Sequence, residues 1–199
     1  MYDQYSTDGS IELAQKLGIE VRFFGDRRTL NDQWYLDVKN NCWKECRGKG
    51  IDYVIVVDID EFVTVPDTLF CTFPKVVGYN MISDELPKED MFEIKTGEFN
   101  ENYSKQAVFN PDQIQEINYV HGCHKHHATG NLTTQRNPWC TLKHFRMIGG
   151  VDRLIERHAT YRKRMSEFNK KNQMGWHYNH SDEAKRDEWN YLKSQAREL

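Results

Sequence analysis

The apolar run at residues 51–57, "IDYVIVV", limits the fold of this chain more than any other feature. It is nearly continuous in apolar and β-branched residues, and it leads directly into the carboxylates Asp58, Asp60 and Glu61. Such a run is typical of a strand that helices cover on both faces of a parallel sheet. Because ligands in open parallel sheets bind outside the carboxyl ends of the strands, the run predicts an acidic site at one edge of the sheet.

The elements before and after this run fit one α/β domain. Periodic apolar residues predict helices at 10–17 and 30–47, and "IEVRFF" predicts a strand between them. Beyond the run, a short strand is predicted at 142–145 and a long amphipathic helix at 151–171, and a final helix is predicted to begin at Ser181. A chain of 199 residues is long enough for a single core of this kind.

Two aspartates at the acidic end of this apolar run predict a metal site. Asp58 and Asp60 are two positions apart, so on an extended backbone their carboxylates point to the same side and repel each other. A divalent cation relieves this repulsion, and ligation by carboxylate oxygens favours Mg²⁺ or Mn²⁺. The alternative is a solvated turn after a strand.

Two motifs together resemble a known family. "YDQYSTDGS" at 2–10, followed by "YVIVVDIDEF" at 53–62, is similar to the nucleotide-sugar-binding half of family 2 glycosyltransferases, which have a GT-A fold and a DxD motif. The resemblance implies an α/β, Rossmann-type, mostly parallel sheet flanked by helices, with a helical C-terminal part. It also implies metal-dependent, inverting transfer of a sugar from a UDP-linked donor to a carbohydrate or lipid-linked acceptor hydroxyl.

The resemblance assigns roles to particular positions. By this likeness the nucleotide-binding half is 1–65, the acceptor and active-site half is 66–148, and the C-terminal helices are 149–199. The residues matched to the family are Asp3 for the base, Asp58 for the ribose and metal, Asp60 for the metal, His144 as a third metal ligand, and Lys39 with Asn40 as donor contacts.

Further candidates come from polar segments in the middle of the chain. The acidic segment "SDELPKED" offers Asp84 and Glu85 as the catalytic base, with Glu89 and Asp90 as alternatives. In "HGCHKHHATG", His124 is the candidate contact to the acceptor or diphosphate. Zinc binding is the alternative interpretation of this segment, although its spacing matches no common zinc motif; the other zinc-type side chains there are His121, Cys123, His126 and His127.

Charge and cysteine content bear on partners and location. The net charge of −3 does not indicate a nucleic-acid partner, and five cysteines without a regular spacing favour reduced thiols in the cytoplasm. Basic residues on the predicted helix 151–171 are suited to donor phosphates or to an anionic membrane surface, although a solvated face is the simpler interpretation. The expected location is cytoplasmic, with peripheral contact at the inner face of a membrane.

Two other functions are compatible with the same motif. "VIVVDIDEFV" also resembles the first motif of haloacid-dehalogenase-type phosphatases, in which the first aspartate is a nucleophile and the second a general acid. A GT-A-like binding domain without activity is the other alternative. In the glycosyltransferase family, a first strand and helix precede the position of Asp3, so we expect the sheet here to be completed differently or the chain to be shortened.

Overall fold

The computed structural model describes the backbone of residues 1–199 and the side chains of all residues except 136–138. The fold is mixed α/β. Its helices are α1 (Ser10–Lys16), α2 (Asp32–Asn41), α3 (Gly150–Arg164), α4 (Glu167–Lys171) and α5 (Asp182–Gln195). Its strands are β1 (Tyr2–Asp3), β2 (Arg22–Phe23), β3 (Val54–Ile55), β4 (Glu61–Thr64), β5 (Lys75–Ser83), β6 (Thr96–Phe99), β7 (Val108–Phe109), β8 (Ile114–Glu116), β9 (Thr129–Gly130), β10 (Arg136–Ile148) and β11 (Arg197–Glu198).

The largest sheet is mixed, so the expectation of a mostly parallel sheet is not met. Its strand order is β11-β6-β5-β10-β4, and only β5 and β10 run parallel to each other. The long strand β10 lies between β5 and β4, and it brings His144 directly opposite Glu61. This pairing places the candidate metal ligand of β10 beside the acidic end of the apolar run.

The apolar run itself is a short strand outside this sheet. Only Val54 and Ile55 pair, and they pair antiparallel with β7. Val54 and Val56 are buried against Trp43 and Phe109, whereas Ile55 is 46% exposed. The run therefore alternates between core and solvent, which is the pattern of a strand with one covered face, and the prediction of a strand buried on both faces is wrong.

Two of the predicted helices are interrupted. The helix predicted at 30–47 is an α-helix only as far as Asn41, and the chain then continues as a 3₁₀ helix, Cys42–Cys46. The second, predicted at 151–171, divides into α3 and α4 because Ser166 caps α4 by accepting a hydrogen bond from the backbone of Asn169. Leu30 stabilises the break, since its backbone bonds to both Arg164 and Ser166.

The helix predicted at 10–17 and the helix predicted to begin at Ser181 are both confirmed. α1 ends at Lys16 and is followed by Gly18, which has a positive φ of 73°. Ser181 caps α5 by accepting a hydrogen bond from the backbone of Ala184, as its position before Asp182 and Glu183 predicts. None of the helices in the described chain is long and apolar enough to cross a membrane.

All five cysteines are free thiols. Cys71, Cys123 and Cys140 are buried, and Cys42 and Cys46 pack against the core. These side chains act as small apolar groups in the core.

Candidate functional site

The acidic turn, residues 58–61, is fixed at both ends. The backbone N–H of Glu61 donates to the carbonyl of Asp58 at 3.0 Å, and the backbone N–H of Asp58 donates to a Glu61 carboxylate oxygen at 3.0 Å. The carbonyl of Asp60 accepts a hydrogen bond of 2.8 Å from Phe145 in β10. These bonds join the turn to the central sheet and hold the side chains of Asp58 and Asp60 at its surface.

Each carboxylate of this turn lies near a basic side chain. Asp58 pairs with Lys39 of α2 at 2.7 Å, and Glu61 pairs with Lys105 at 2.7 Å. Asp60 lies 3.5 Å from Nε2 of His144. The charge compensation that the sequence predicts from a metal ion is thus supplied in part by the protein's own side chains.

The pKa values of two of these groups reflect this pairing. Burial by itself would raise the pKa of Asp60, but His144, and more weakly Arg157, outweigh it, so the pKa lies below its ordinary value. Burial likewise opposes the charged form of Lys39, but Asp58 and the neighbouring acidic groups raise its pKa above the ordinary value. Asp60 is therefore a carboxylate and Lys39 a cation at neutral pH.

Helix α2 places the end of β1 close to the acidic turn. Tyr35 donates a hydrogen bond of 2.6 Å to the side chain of Gln4, which follows Asp3, and Lys39 of the same helix contacts Asp58. Because Tyr35 and Lys39 are four positions apart, they project from one face of the helix. The structure thus anchors the segment after Asp3 and the acidic turn on the same face of α2. The carboxylate of Asp3 accepts a hydrogen bond of 2.7 Å from the backbone of Ser6.

Asn40, a predicted donor contact, has another role. Its side-chain oxygen accepts a hydrogen bond of 2.7 Å from the backbone N–H of Tyr119, and its side-chain nitrogen donates to the carbonyl of Tyr119 at 3.3 Å. Both polar atoms of the amide are therefore used to hold the chain at residue 119.

The structure does not bring the predicted base residues Asp84 and Glu85 to the acidic turn. They follow β5, whose register places Asn80 beside His144 and Ser83 beside Ile148. At about 3.3 Å per residue, Asp84 is about 13 Å along the strand from Asn80. Its carboxylate is also paired with Lys193 of α5.

His124 lines a polar cleft. The cleft has a volume of about 410 Å³, and its lining includes Gln106, His124, Lys125 and His126. The ring of Tyr103 contacts both His124 and His144, with centroid distances of 5.3 and 4.2 Å. Tyr103 therefore connects the cleft to the Asp60–His144 pair, although it has no sequence pattern that predicts this position.

The donors near Asp60 fit part of a metal site. Two ligands of one Mg²⁺ or Mn²⁺ ion lie about 3 Å apart when each is about 2.1 Å from the ion, so the Asp60–His144 spacing suits a shared ion. Asp58 would first have to give up its contact with Lys39. Among the described side chains, no group of three His, Cys, Asp or Glu residues is assembled to hold a metal. This applies also to the histidine-rich segment, for which zinc binding was the alternative interpretation.

A second group of basic side chains lies near Asp60. The sequence predicted only those of its members that belong to the basic helix at 151–171. We call it the basic cluster; it consists of Arg146 of β10, Arg157 and His158 of α3, and His177 of a 3₁₀ helix (Trp176–Asn179). Arg146 donates a hydrogen bond to Nε2 of His158, and Arg157 donates to the carbonyl of Arg146. The alternation of His144 and Arg146 along one strand is the sequence signal that could have placed Arg146 here.

Comparison with known proteins identifies no relative of this chain. No family model matches the chain, and no curated protein or solved structure matches it significantly. Functional inference for this chain therefore depends on the geometry of the site.

Replacement of Lys105 by Met should strongly destabilise the protein. The side chains of Lys105 and Glu61 are 3% and 2% exposed, so the variant leaves a buried carboxylate without its cation. Loss of one partner of such a pair costs about 3–5 kcal/mol. Urea unfolding at neutral pH measures this loss. Lys170→Met is the matched control, because its pair with Glu167 is exposed and should contribute less than about 1 kcal/mol. Equal losses in the two variants would contradict this role for the Glu61–Lys105 pair.

Acidification should destabilise the protein through His158. Burial, and after it Arg146, lowers the pKa of His158 to about 3, so the folded state stays neutral there while the unfolded state takes up a proton below pH 6.5. Stability is therefore lost as pH falls from about 6.5 toward 3, by about 2 kcal/mol at pH 5 for this one group. Urea unfolding at pH 7 and pH 5 should show a smaller loss in His158→Gln than in the unsubstituted protein. The control His127→Gln, at an exposed position, should keep the full loss; an unchanged loss in His158→Gln would rule out this source.

Proposed function

We propose that this chain is a glycosyltransferase with a GT-A-like arrangement, in which a nucleotide-sugar donor binds between Asp3 and the acidic turn. The observation that carries the proposal is the position of Asp60 beside His144, next to a turn whose Asp58 shares the α2 face with the segment after Asp3. Asp60 and His144 would hold Mn²⁺ or Mg²⁺, with the rest of the ion's shell completed by donor phosphates and water. When bound, this ion would stabilise negative charge on the departing diphosphate.

The reaction requires one bond to form and one to break. The oxygen of an acceptor hydroxyl bonds to C1 of the donor sugar, the bond from C1 to the diphosphate breaks, and the nucleoside diphosphate leaves with that electron pair. The hydroxyl proton needs an acceptor on the side of the incoming oxygen. A UDP-linked donor and a carbohydrate acceptor, free or lipid-linked, are the substrates that the sequence resemblance implies, and the cytoplasm or the inner face of a membrane is the implied location.

His124 is suited to take this proton. The carbonyl of Asn102 lies 2.9 Å from Nδ1, so Nδ1 carries the hydrogen and Nε2 is left with its lone pair. Burial, and after it the positive charge of Lys105, lowers the pKa of His124, which keeps the ring neutral at pH 7. A neutral imidazole with a fixed tautomer at the edge of a polar cleft is a better placed base than Asp84 or Glu85 at the far end of β5.

A screen of nucleotide sugars by thermal unfolding tests the donor site. With a UDP-sugar at about 100 times its Kd, we expect a gain of about 2.7 kcal/mol. For a chain of this size the gain corresponds to a rise in Tm of about 5–10 °C, and it should occur only with Mn²⁺ present. Asp60→Asn should remove the metal-dependent part of the shift. Asp52→Asn, an exposed carboxylate before β3, is the matched control and should keep it.

Other outcomes of the same experiment contradict the proposal. A shift that is equal with and without Mn²⁺, or that survives in Asp60→Asn, would exclude the assigned metal site. Release of phosphate from a simple phosphomonoester would favour the phosphatase alternative, and donor binding without hydrolysis or transfer would favour a binding domain.

Replacement of His124 by Gln should slow transfer while leaving donor binding intact. Loss of a general base reduces kcat by about 10²- to 10⁴-fold, whereas the metal-dependent thermal shift should be unchanged. Asp84→Asn is the control for the base that sequence alone suggests, and it should retain kcat. The opposite pattern, with activity lost in Asp84→Asn and kept in His124→Gln, would return the role to Asp84.

A further inference from the structure

The basic cluster contains two guanidinium groups without a carboxylate partner. Neither Arg146 nor Arg157 forms an ion pair within 4.0 Å among the described side chains. Arg157 influences the pKa of Asp60, so the two residues are near each other, but their charged atoms are not in contact. Asp60 therefore favours the charge of Arg157 from a distance, but neither guanidinium group is in direct contact with a carboxylate of the described side chains.

Several hydrogen-bonding atoms of the basic cluster are also unused. The Nε atom of Arg157, Nδ1 of His158 and Nε2 of His177 are buried and have no hydrogen-bond partner in the described structure. His158 itself is only 3% exposed. Buried polar atoms are normally paired, and a cluster of unpaired ones requires a physical explanation.

The surroundings make this arrangement costly without a ligand. Burial, and after it Arg146, lowers the pKa of His177 to about 4, so this ring, like that of His158, is neutral at pH 7. Burial lowers the pKa of Arg157, and the like charge of Arg146 acts in the same direction, whereas Tyr161 and Asp60 act against them. Half-buried, mutually repelling cations are stabilised when an anion enters between them.

We infer that Arg146 and Arg157 form a binding site for a phosphate-type oxyanion beside Asp60. Guanidinium groups bind such oxyanions through paired, charge-assisted hydrogen bonds, and the unused Nε of Arg157 is one donor for them. The side chain of the neighbouring Asp60 is 37% exposed. The inferred site uses none of the proposed metal ligands.

This inference deepens the proposed function. It rests on that function only where it names the molecule from which the oxyanion comes. Within a glycosyltransferase, the oxyanion is either the diphosphate of the donor or an anionic group on the acceptor. Binding of the oxyanion itself depends on the two arginines and not on a metal. The test can therefore succeed or fail independently of the proposed transferase activity.

Titration of the metal-free full chain with inorganic pyrophosphate in EDTA tests the site. We expect saturable binding in calorimetry and a matching rise in Tm. Arg157→Met should weaken binding by about ten- to a hundredfold, which is the usual effect of losing a hydrogen bond to a charged group. Lys163→Gln, an exposed cation on the same helix, is the control and should bind like the unsubstituted protein.

A second variant keeps the test informative if Arg157→Met fails to fold. Arg157→Lys retains the charge but loses the planar fork, so it should bind pyrophosphate more weakly than Arg157 does and more tightly than Met at this position. Absence of saturable pyrophosphate binding, or equal binding in the Arg157 variants and Lys163→Gln, would overturn the inference.

Competition identifies the source of the oxyanion. If UDP displaces pyrophosphate in EDTA, and Arg157→Met weakens UDP binding equally, the site holds the donor diphosphate. If UDP and pyrophosphate bind together, the site holds an anionic group of the acceptor. A failure of all UDP-sugars to bind with Mn²⁺ would contradict the proposed transferase while leaving pyrophosphate binding by the arginines as a separate result.

Discussion

The buried ion pair between Glu61 and Lys105 is the interaction on which the candidate site depends. Glu61 is the first residue of β4, and its carboxylate also accepts a hydrogen bond from the backbone of Asp58. One side chain thereby joins the start of the strand, the acidic turn and the loop that carries Lys105. Because the pair is almost completely buried, its geometry is held tightly, and the positions of Asp58 and Asp60 follow from it.

Charge balance explains the rest of the site. The acidic turn concentrates three carboxylates, and Lys39, Lys105 and His144 each approach one of them. Near Asp60, Arg146 and Arg157 form no direct ion pair with any of the described side chains. The site therefore presents acidic groups suited to a cation next to basic groups suited to an oxyanion, which is the combination that a metal-bound diphosphate requires. This complementarity supports the proposed nucleotide-sugar donor.

Local sequence signals predicted the parts of the fold that depend on neighbouring residues. Ser181 and the acidic residues after it define the start of α5. The sequence predicted Lys39 as a donor contact, but it did not predict the pair that Lys39 forms with Asp58. The apolar run was assigned to the wrong kind of sheet, because hydrophobicity alone did not reveal that Ile55 faces solvent.

Contacts between distant parts of the chain could not be read from the sequence. Lys105 is 44 positions from Glu61, and no local pattern marks it as a buried partner. The same limit applies to the catalytic base: the sequence offers Asp84 and Glu85 among several acidic loop residues, and only the register of β5 shows how far Asp84 lies from His144. The start of α4, in contrast, is marked locally, since serine is a preferred N-cap residue and the acidic Glu167 follows it in the first turn.

The central claim is that Asp60 and His144 together bind the metal that accompanies the donor. Anomalous diffraction at the manganese absorption edge, from crystals grown with Mn²⁺ and UDP, locates the ion directly. The account predicts one strong peak about 2.1–2.3 Å from both Asp60 Oδ2 and His144 Nε2, with diphosphate oxygens completing the shell. A manganese peak on the histidine-rich segment instead, or bound UDP with no manganese between these two side chains, would contradict it.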